Sequence, residues 1–455
     1  MKGTRIVTAS AIVLLLLASA LHASSYRTDR IIVKFRQAVP GTASAVAALS
    51  SRPVAIAVDD AQKAIAELEA SGEVEYAEPD YIIEAEEVPS DWPYRGQWAQ
   101  LAIEQAWDLF SSSGGSSSVI VAVVDSGVDF SHPDLSGVLV KGYDFVAKDD
   151  VPEDNSGHGT KVCGVLGAVG GNGIGIAGVA WEVDLAVMPL KFMDTDSSGK
   201  TTGNLSDAIK AIYYAVDHGA RIINASWGFY DYSRSLEEAI EYARSKGVLV
   251  VCSAGNKGQD NDVLDHYPSN YPQDNIVAVA ALGTDGTLAS FSNYGVKNVD
   301  VAAPGVGLVT TTLNGGYASW VSGTSYSTPF VSGVAAMLLA TDDTISPEEA
   351  RDILIRSCSQ SPQAASFAIA GLGCINAFEA LALAGSHDET SSQDSGGEPS
   401  RTAEGSSDQG MDDGGSSGGS GCLISTAAPS PSIGMLLPVL LTIVLFRTRR
   451  TGLPE

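Results

Sequence analysis

Short, uniformly apolar runs that end in small or polar residues are the feature that most constrains the fold of this chain. The clearest is VIVAVV at 119–124, which is followed by Asp125. Segments with helical periodicity at 205–218 and 235–246 separate later runs. Strands that are apolar on both faces and alternate with helices indicate a parallel sheet covered on both sides. We therefore predict an α/β fold, a parallel sheet flanked by helices. The other predicted strands are LAVMPL (185–190), RIINA (221–225), GVLVVC (247–252), IVAVAAL (276–282) and VDVAA (299–303).

Small and polar residues follow three of these runs: DSG at 125–127, SWG at 226–228 and SAGN at 253–256. In parallel α/β sheets, functional groups collect outside the carboxyl ends of the strands. We therefore expect these three segments to contribute to one site.

Three residues form a candidate nucleophilic triad. Asp125 lies in VVDSGVD, His158 in NSGHGTKVCG at the start of a small-residue helix, and Ser325 in SGTSYSTP before an apolar helix at 330–340. A serine hydroxyl is a weak nucleophile near neutral pH. It needs an imidazole to accept its proton, and the imidazole needs a carboxylate to hold its tautomer. A helix N-terminus beneath Ser325 favours developing negative charge.

These motifs resemble those of the subtilisin-like serine proteases, especially their thermitase-like branch. The resemblance covers about residues 92–383. It implies the subtilisin-like form of the α/β fold and a serine endopeptidase that acts on protein or peptide substrates through an acyl-enzyme. It also implies a zymogen that processes itself. The matching segments are VAVVDSGVDFSHPDL (121–135), SGHGTKVCG (156–164), GIAGVA (175–180), NASWG (224–228), SAGN (253–256), FSNYG (291–295), VDVAAPG (299–305), GTSYSTP (323–329) and GLGCINAFEAL (371–381).

The resemblance implies a role for each matching catalytic residue. Asp125 would orient His158, His158 would act as general base and then as general acid, and Ser325 would be the nucleophile. The side chain of Asn256 would donate to the oxyanion hole, together with the backbone N–H of Ser325.

The resemblance also places a primary specificity pocket in this chain. Lys257 and His266 fall at its rim and base, and two interpretations are open: an acidic or polar substrate side chain is favoured there, or both residues face solvent. The residues expected to line the pocket and to pair with the substrate backbone as an added strand are Ser226, Trp227, Gly228 and Gly255.

Calcium is the metal that the resemblance suggests, as a structural ion; no cofactor is expected for catalysis. Asp129, and Asn172 in the loop GGNGIG (170–175), fall near a calcium site common in the family. Calcium prefers several oxygen ligands, including backbone carbonyls. Asp129 and Asn172 are therefore candidate ligands, and an acidic surface that only aids solubility is the alternative.

The cysteines, 5 in the chain, are too few for a disulfide framework. Cys163 and Cys252 stand where small residues are usual in the family, and either two buried thiols or a disulfide between them fits the sequence. Cys358 and Cys374 flank the last predicted helix and loop, and a disulfide between them is one of two open possibilities.

The N-terminal residues have the pattern of a signal peptide and a propeptide. Residues 1–23 combine basic residues, an apolar run and small residues, which predicts a cleaved secretory signal; an uncleaved anchor is the alternative. Residues 24–88 hold a short strand, a helix at 61–70 and VEYAEPDYIIEAE at 74–86. They are similar to the family's inhibitor-like α+β propeptide. We expect this segment to inhibit the catalytic domain at 89–385 and to be cut off between about Glu84 and Asp91.

The C-terminal residues suggest attachment to a membrane or envelope. Ser/Gly-rich acidic residues 386–421 predict a flexible linker. Residues 422–455 begin at Cys422 and contain an apolar run at 433–446 that precedes an arginine cluster. About 14 helical residues span about 21 Å, less than the hydrocarbon core of ~30 Å. This arrangement resembles the sorting signals of bacterial surface proteins, with Cys422 a candidate for modification. A plain tail anchor is the alternative.

Charge and composition exclude several classes of protein. With 27 Lys+Arg against 54 Asp+Glu, the net charge of −27 excludes a nucleic-acid binder, and 44% hydrophobic residues exclude overall disorder. We expect an exported monomer at the bacterial cell surface or outside the cell. The alternative functions are a fold kept for binding alone and a protease devoted to one substrate.

Overall fold

The computed structural model describes residues 26–36, 52–85, 101–114, 117–358 and 373–391. The predicted signal peptide, residues 86–100 and all residues after 391 lie outside these ranges. The signal, the sorting segment and most of the linker therefore stay predictions. Among the helices of the described ranges, none is both long and apolar enough to cross a membrane.

The N-terminal segment, defined here as residues 26–36 and 52–85, forms a small α+β unit. Its elements are β1 (Tyr26–Phe35), β2 (Val54–Ala57), α1 (Ala61–Ser71) and β3 (Val74–Ala85), and β1 pairs antiparallel with both β2 and β3. The Asp60 side chain caps α1 by accepting from the N–H of Lys63, and Gly72 ends the helix at φ 72°. The small core of the segment consists of Ile31, Val33, Ala61, Val74 and Ala77.

The larger domain, residues 101–391, alternates strands with helices along most of its length. Its helices are α2 (Ile103–Ser113), α3 (His158–Gly167), α4 (Leu205–Asp217), α5 (Arg234–Ser245), α6 (Thr324–Thr341), α7 (Pro347–Arg356) and α8 (Ala377–Ser391). Its strands are β4 (Val119–Asp125), β5 (Tyr143–Asp144), β6 (Leu185–Lys191), β7 (Met193–Thr195), β8 (Thr201–Asn204), β9 (Ile222–Ala225), β10 (Trp227–Gly228), β11 (Leu249–Ser253), β12 (Ile276–Leu282), β13 (Val301–Pro304), β14 (Leu308–Thr312) and β15 (Gly316–Val321).

A parallel sheet of 7 strands forms the centre of this domain, in the order β13-β12-β11-β9-β4-β6-β5. Alternate residues of β4 enter different cores: Val121 and Val123 face the core that contains α6, and Ala122 and Val124 face the core beneath α4 and α5. Both faces are therefore apolar, which is why these strands appear as continuous apolar runs. The predicted α/β fold class is confirmed. Five of the predicted strands, β4, β6, β9, β11 and β13, begin or end one or two residues away from the predicted bounds.

The cysteine expectations are resolved by the positions of the side chains. Cys163 and Cys252 are buried thiols that lie in the cores on opposite faces of the sheet, so a disulfide between them is excluded. Cys358 and Cys374 are also thiols, and the possible disulfide between them is wrong for this structure. The Sγ of Cys358, which lies just after α7, is 3.6 Å from the backbone oxygen of Leu354 in that helix. Burial raises the pKa of Cys374 to about 12, which disfavours the thiolate needed for oxidation.

Gly164 tests how tightly α3 packs in this fold. A Cβ at this position would overlap Thr311 Oγ1 and lie 2.6 Å from Thr310 Oγ1 on β14, whereas a Cβ at Gly385 in α8 would meet nothing within 4 Å. We expect Gly164→Ala to lower the free energy of unfolding by about 1–3 kcal/mol through overpacking. The matched Gly385→Ala should raise it by up to about 1 kcal/mol. Denaturant unfolding of both variants in a Ser325→Ala background measures this, and equal effects would contradict the packing argument.

Candidate active site

Three neighbouring strands bring the candidate residues to one edge of the sheet. β4 pairs with β9, and β9 pairs with β11, all parallel. The segments that follow them, at 125–127, 226–228 and 253–256, therefore lie side by side at the carboxyl edge. This is the juxtaposition expected from the sequence.

Asp125 and His158 form a buried pair at this edge. Asp125 ends β4, His158 begins α3, and His158 Nδ1 lies 2.8 Å from Asp125 Oδ1, which also accepts from the N–H of Ser126 at 2.7 Å. Both side chains are 0% exposed. Because a carboxylate can only accept, Nδ1 carries the proton, and Nε2 is the nitrogen that can take one up. The ring of Tyr326, next to Ser325, lies 5.6 Å from the His158 ring.

Asp154, which the sequence analysis missed, positions the start of α3. The cap residue Gly157 has no side chain with which to cap the helix. Asp154 Oδ2 accepts from the N–H of Thr160 at 2.9 Å and from its hydroxyl at 2.6 Å. Its Oδ1 accepts from the Ser126 hydroxyl at 2.9 Å and from the N–H of Gly157 at 2.9 Å. One buried carboxylate thus joins the end of β4 to the helix that carries His158.

Ser325 is held at the start of α6 by Ser226. Pro329 lies inside α6 and has no N–H to donate to the carbonyl four residues earlier, which is that of Ser325. The hydroxyl of Ser226 donates to that carbonyl instead, at 2.7 Å. The Ser325 hydroxyl donates to the backbone oxygen of Ser226 at 3.0 Å. The proline therefore leaves an acceptor that ties the end of β9 to the start of α6.

Asn256 is oriented by its neighbour across the site. Its Oδ1 accepts from the N–H of Thr324 at 2.9 Å and from the Thr324 hydroxyl at 3.0 Å. The amide nitrogen is consequently turned away from Thr324. The loop that carries Asn256 is held by Asn293, whose Oδ1 accepts from the N–H of Lys257 at 2.9 Å. From the sequence, Asn293 was noted only as part of the matching segment FSNYG, and this role was not predicted.

The segment at 226–228 already carries a paired strand. The end of β3 lies between β8 and β10: Glu84 is opposite both Thr202 and Gly228, and Ala85 is opposite Trp227. Trp227 takes part through its backbone only, because its indole is fully buried and donates to the backbone oxygen of Val124 at 2.8 Å. Any contribution of Trp227 to the lining of the expected pocket would therefore come from its backbone.

Gly228 and Gly255 lie on either side of His266. A Cβ at Gly228 would overlap Cε1 and Nε2 of His266, and a Cβ at Gly255 would lie 3.2 Å from His266 Cδ2. His266 is 0% exposed, so the expectation that it faces solvent is wrong. Lys257 is exposed, and its Nζ lies 4.3 Å from the centre of the Tyr230 ring.

The two candidate calcium ligands belong to separate sets of hydrogen bonds. Asp129 Oδ1 accepts from the N–H and hydroxyl of Ser131, and Oδ2 accepts from the N–H of Gly315. Asn172 instead donates to Asp134 at 2.7 Å and accepts from the N–H of Ile174. In the described part of the chain, no three His, Cys, Asp or Glu side chains are grouped as metal ligands. Asp129 and Asn172 share no hydrogen-bond partner among these contacts, and a calcium ion held by both stays a prediction.

Comparisons with known proteins agree with this geometry. Residues 116–373 match the subtilase family. The chain is 43% identical over 268 residues to the thermophilic serine proteinase of a Bacillus species, covering 58% of this chain and 63% of that protein. It is 41% identical over 234 residues to thermitase of Thermoactinomyces vulgaris, covering 51% of this chain and 78% of thermitase.

A solved structure extends the similarity beyond the family match. Fervidolysin from Fervidobacterium pennivorans, described as a keratinolytic enzyme related to subtilisin, superposes with a TM-score of 0.64 at 27% identity. The superposition covers 78% of this chain and 61% of that protein.

Asp154→Asn tests how the start of α3 is positioned. Asp154 has five donors, because the N–H of Ser156 also donates to its Oδ1, and an amide cannot accept from all of them. We therefore expect about 1–3 kcal/mol less stability. Peptide turnover should fall about 10-fold or more, because small misplacements of catalytic groups are costly. Thermal unfolding and kcat for a chromogenic peptide measure the two effects. The matched control is Asp149→Asn on the same loop, where the exposed carboxylate accepts from Val151. If Asp154→Asn behaved like this control, the positioning role would be wrong.

Proposed function

Because this chain belongs to the subtilase family of serine endopeptidases, we propose that it hydrolyses peptide bonds through Asp125, His158 and Ser325 as an exported, self-processing zymogen. One observation carries the proposal. His158 Nδ1 lies 2.8 Å from Asp125 Oδ1, at the sheet edge where α6 begins with Ser325 as its second residue. We expect its substrates to be proteins or peptides, because these contain the peptide bonds that it would hydrolyse.

The proposed mechanism uses each of these residues once in each half of the reaction. Ser325 Oγ attacks the scissile carbonyl while His158 Nε2 takes its proton, and Asp125 stabilises the imidazolium that forms. His158 then returns the proton to the leaving amine. Water, deprotonated by His158, attacks the acyl-enzyme, and the proton goes back to Ser325 Oγ as the carboxylate product leaves.

Developing negative charge on the substrate oxygen would be stabilised by three features. Asn256 offers its amide N–H because its oxygen is occupied by Thr324. The Ser325 backbone N–H is the second donor, and the N-terminus of α6 adds a favourable dipole. Removal of such a side-chain donor is known within this family to reduce turnover by about 10²–10³.

We assign the N-terminal segment as the propeptide and propose that it inhibits the enzyme. Support comes from β3, which enters between β8 and β10 as an antiparallel strand, the arrangement in which an extended substrate would bind. Substrate could therefore occupy the site only after β3 leaves. The interval proposed for the cut, between about Glu84 and Asp91, begins at the end of this strand.

Two carboxylates of β3 cap helices of the larger domain. Glu78 accepts from the Ser233 hydroxyl at 2.7 Å and from the N–H groups of Arg234 and Ser235 at 3.0 and 3.1 Å, at the start of α5. Asp80 accepts from the N–H and hydroxyl of Ser206, at the start of α4. Both acids thus satisfy helix N–H groups that would otherwise need water, and this favours tight docking.

Export and surface attachment are also part of the proposal. They rest on the sequence patterns of residues 1–23 and 422–455, through a cleaved signal and a C-terminal sorting segment. A structural calcium ion at Asp129 and Asn172 stays a prediction that their hydrogen bonds do not favour.

Ser325→Ala tests the nucleophile and self-processing together. We expect the wild-type full chain to lose its N-terminal segment and then to bind one fluorophosphonate, while the variant does neither, because it lacks the attacking oxygen. Intact mass spectrometry over time measures both events. The control is Ser327→Ala, which removes a buried hydroxyl from the same helix that donates to the backbone of Ala303 and Pro304.

The outcomes separate the alternatives. Labelling of the wild type without loss of the segment would contradict self-processing and leave a serine hydrolase that another protease activates. No labelling even after trypsin removes the segment would favour a fold kept for binding. If the enzyme is fully labelled by the fluorophosphonate but cleaves casein only slowly, a protease with one dedicated substrate would be favoured.

Glu78→Gln tests the helix cap that holds the propeptide. Loss of charge-assisted hydrogen bonds at the α5 N-terminus should weaken propeptide binding by about 1–2 kcal/mol, or about 10-fold. The delay between cleavage and full activity should shorten accordingly. Activity and mass followed in one sample measure that delay. Glu67→Gln, in an exposed ion pair with Lys63 on α1, is the control; equal delays in both variants would contradict the capping role.

A further inference from the structure

We propose that the pocket between Gly228 and Gly255 selects a glutamate side chain, so that the enzyme cleaves after acidic residues. The inference rests on the proposed endopeptidase function and names its substrate preference. The pocket is defined here by Gly228, Tyr230, Gly255, Lys257 and His266. The sequence left two interpretations open for Lys257 and His266, a polar pocket or solvent-facing side chains. In the structure His266 is buried and Lys257 is exposed.

The walls of the pocket are the backbone segments that follow β9 and β11. These strands are adjacent and parallel, so their extensions run side by side at the edge that holds Ser325. A strand bound to the first wall, as β3 is at Gly228, would direct the side chain next to the scissile bond between the two walls. Because Gly228 and Gly255 have no side chains, the His266 ring can lie directly against both walls.

His266 closes the far end of the pocket. It is fully buried, and its ring lies against both glycines. The loop that carries it is fixed to the first wall, because Phe229 and Tyr267 exchange backbone hydrogen bonds of 3.0 and 2.8 Å. A ring in this place shortens the pocket and makes its base polar. Both effects disfavour a large aromatic side chain.

The histidine ring has a defined orientation. The Ser269 hydroxyl donates to the backbone oxygen of His266 at 2.7 Å, so its oxygen accepts from His266 Nδ1 at 3.0 Å. Nε2 is the nitrogen on the Gly228 side, where a Cβ would overlap it. With Nδ1 as the donor to Ser269, Nε2 of a neutral ring can only accept, so His266 does not itself favour a carboxylate over an amide. The preference for a charged side chain therefore rests on Lys257.

Lys257 supplies a positive charge at the rim. It lies on the second wall, directly after Asn256, and its Nζ is 4.3 Å from the centre of the Tyr230 ring on the first wall. Within the described residues, no carboxylate lies within ion-pair distance of its ammonium group.

The chain's own sequence offers an acidic side chain to this pocket. Glu84 and Ala85, at the end of β3, pair with Gly228 and Trp227. In the sequence, Ala85 is followed by Glu86 and Glu87. The inferred preference thus places the maturation cut after Glu86, within the interval expected from the sequence.

Peptide p-nitroanilides that differ only in the residue before the scissile bond test the inference with the matured full-length enzyme. We expect kcat/KM for Glu to exceed that for Gln and for Phe by about 10-fold, because Gln has the same shape without the charge. The Glu/Gln ratio should fall as salt rises, since an exposed ammonium group is screened. Mass spectrometry should find a mature chain that begins at Glu87.

Two variants separate charge from shape. Lys257→Gln should lower the Glu/Gln ratio about 10-fold. The matched control is Lys246→Gln, because Lys246 is also exposed and its Nζ lies 5.7 Å from the centre of the Tyr242 ring. This control should leave the ratio unchanged. His266→Gly should raise kcat/KM for Phe about 10-fold by deepening the pocket.

The possible failures are distinguishable. A wild-type enzyme that prefers Phe over Glu, with a Glu/Gln ratio that Lys257→Gln does not change, overturns the acidic preference alone. A chain that hydrolyses none of the peptides and binds no fluorophosphonate contradicts the proposed function and, with it, this inference.

Discussion

The buried hydrogen bonds between the end of β9 and the start of α6 are the contact on which the rest of the site depends. Asn224 donates to the Ser226 hydroxyl at 2.9 Å and accepts from Ser332, while Ser226 and Ser325 exchange bonds of 2.7 and 3.0 Å. Pro329 makes this exchange possible by leaving the Ser325 carbonyl without its helical donor. A buried network that is satisfied in this way holds one geometry, because every displaced group would lose its partner in a dry interior.

A second constraint acts on the histidine side of the site. α3 has a glycine where a capping side chain is usual, and Asp154 replaces that cap from the preceding loop. The same carboxylate binds the Ser126 hydroxyl, next to Asp125. The pair of Asp125 and His158 is therefore aligned by a residue that touches neither of the reacting groups. The two arrangements together explain how loops with many glycines can carry a rigid site.

The N-terminal segment depends on the larger domain for much of its stability. Its own core is small, while Ile32 and Ile83 are buried in a core of the larger domain. Lys34, Arg52 and Arg30 form ion pairs with Glu238, Asp217 and Asp207. Such a segment gains order mainly by docking, so its release after a cut at the end of β3 is physically reasonable. The same docking contacts would serve the folding of α4 and α5, whose first turns they complete.

Much of the fold followed from the sequence by itself, because buried strands and amphipathic helices have local signatures. IVAVAAL at 276–282 became β12 without change of bounds, and Ser325 begins an apolar helix as expected. The candidate residues Asp125, His158 and Ser325 were predicted from motifs at strand ends and helix starts, which are local features of the sequence. Asn256 was predicted from the resemblance to the subtilisin-like proteases. Only the tertiary structure decided which distant groups meet. It buried the Trp227 indole, gave Asp129 and Asn172 different hydrogen-bond partners, and kept Cys358 and Cys374 as thiols. It also joined Asp154 to α3 and placed the His266 ring against Gly228. Those outcomes depend on side-chain direction and on contacts between segments far apart in the chain, and no local pattern of residues encodes them.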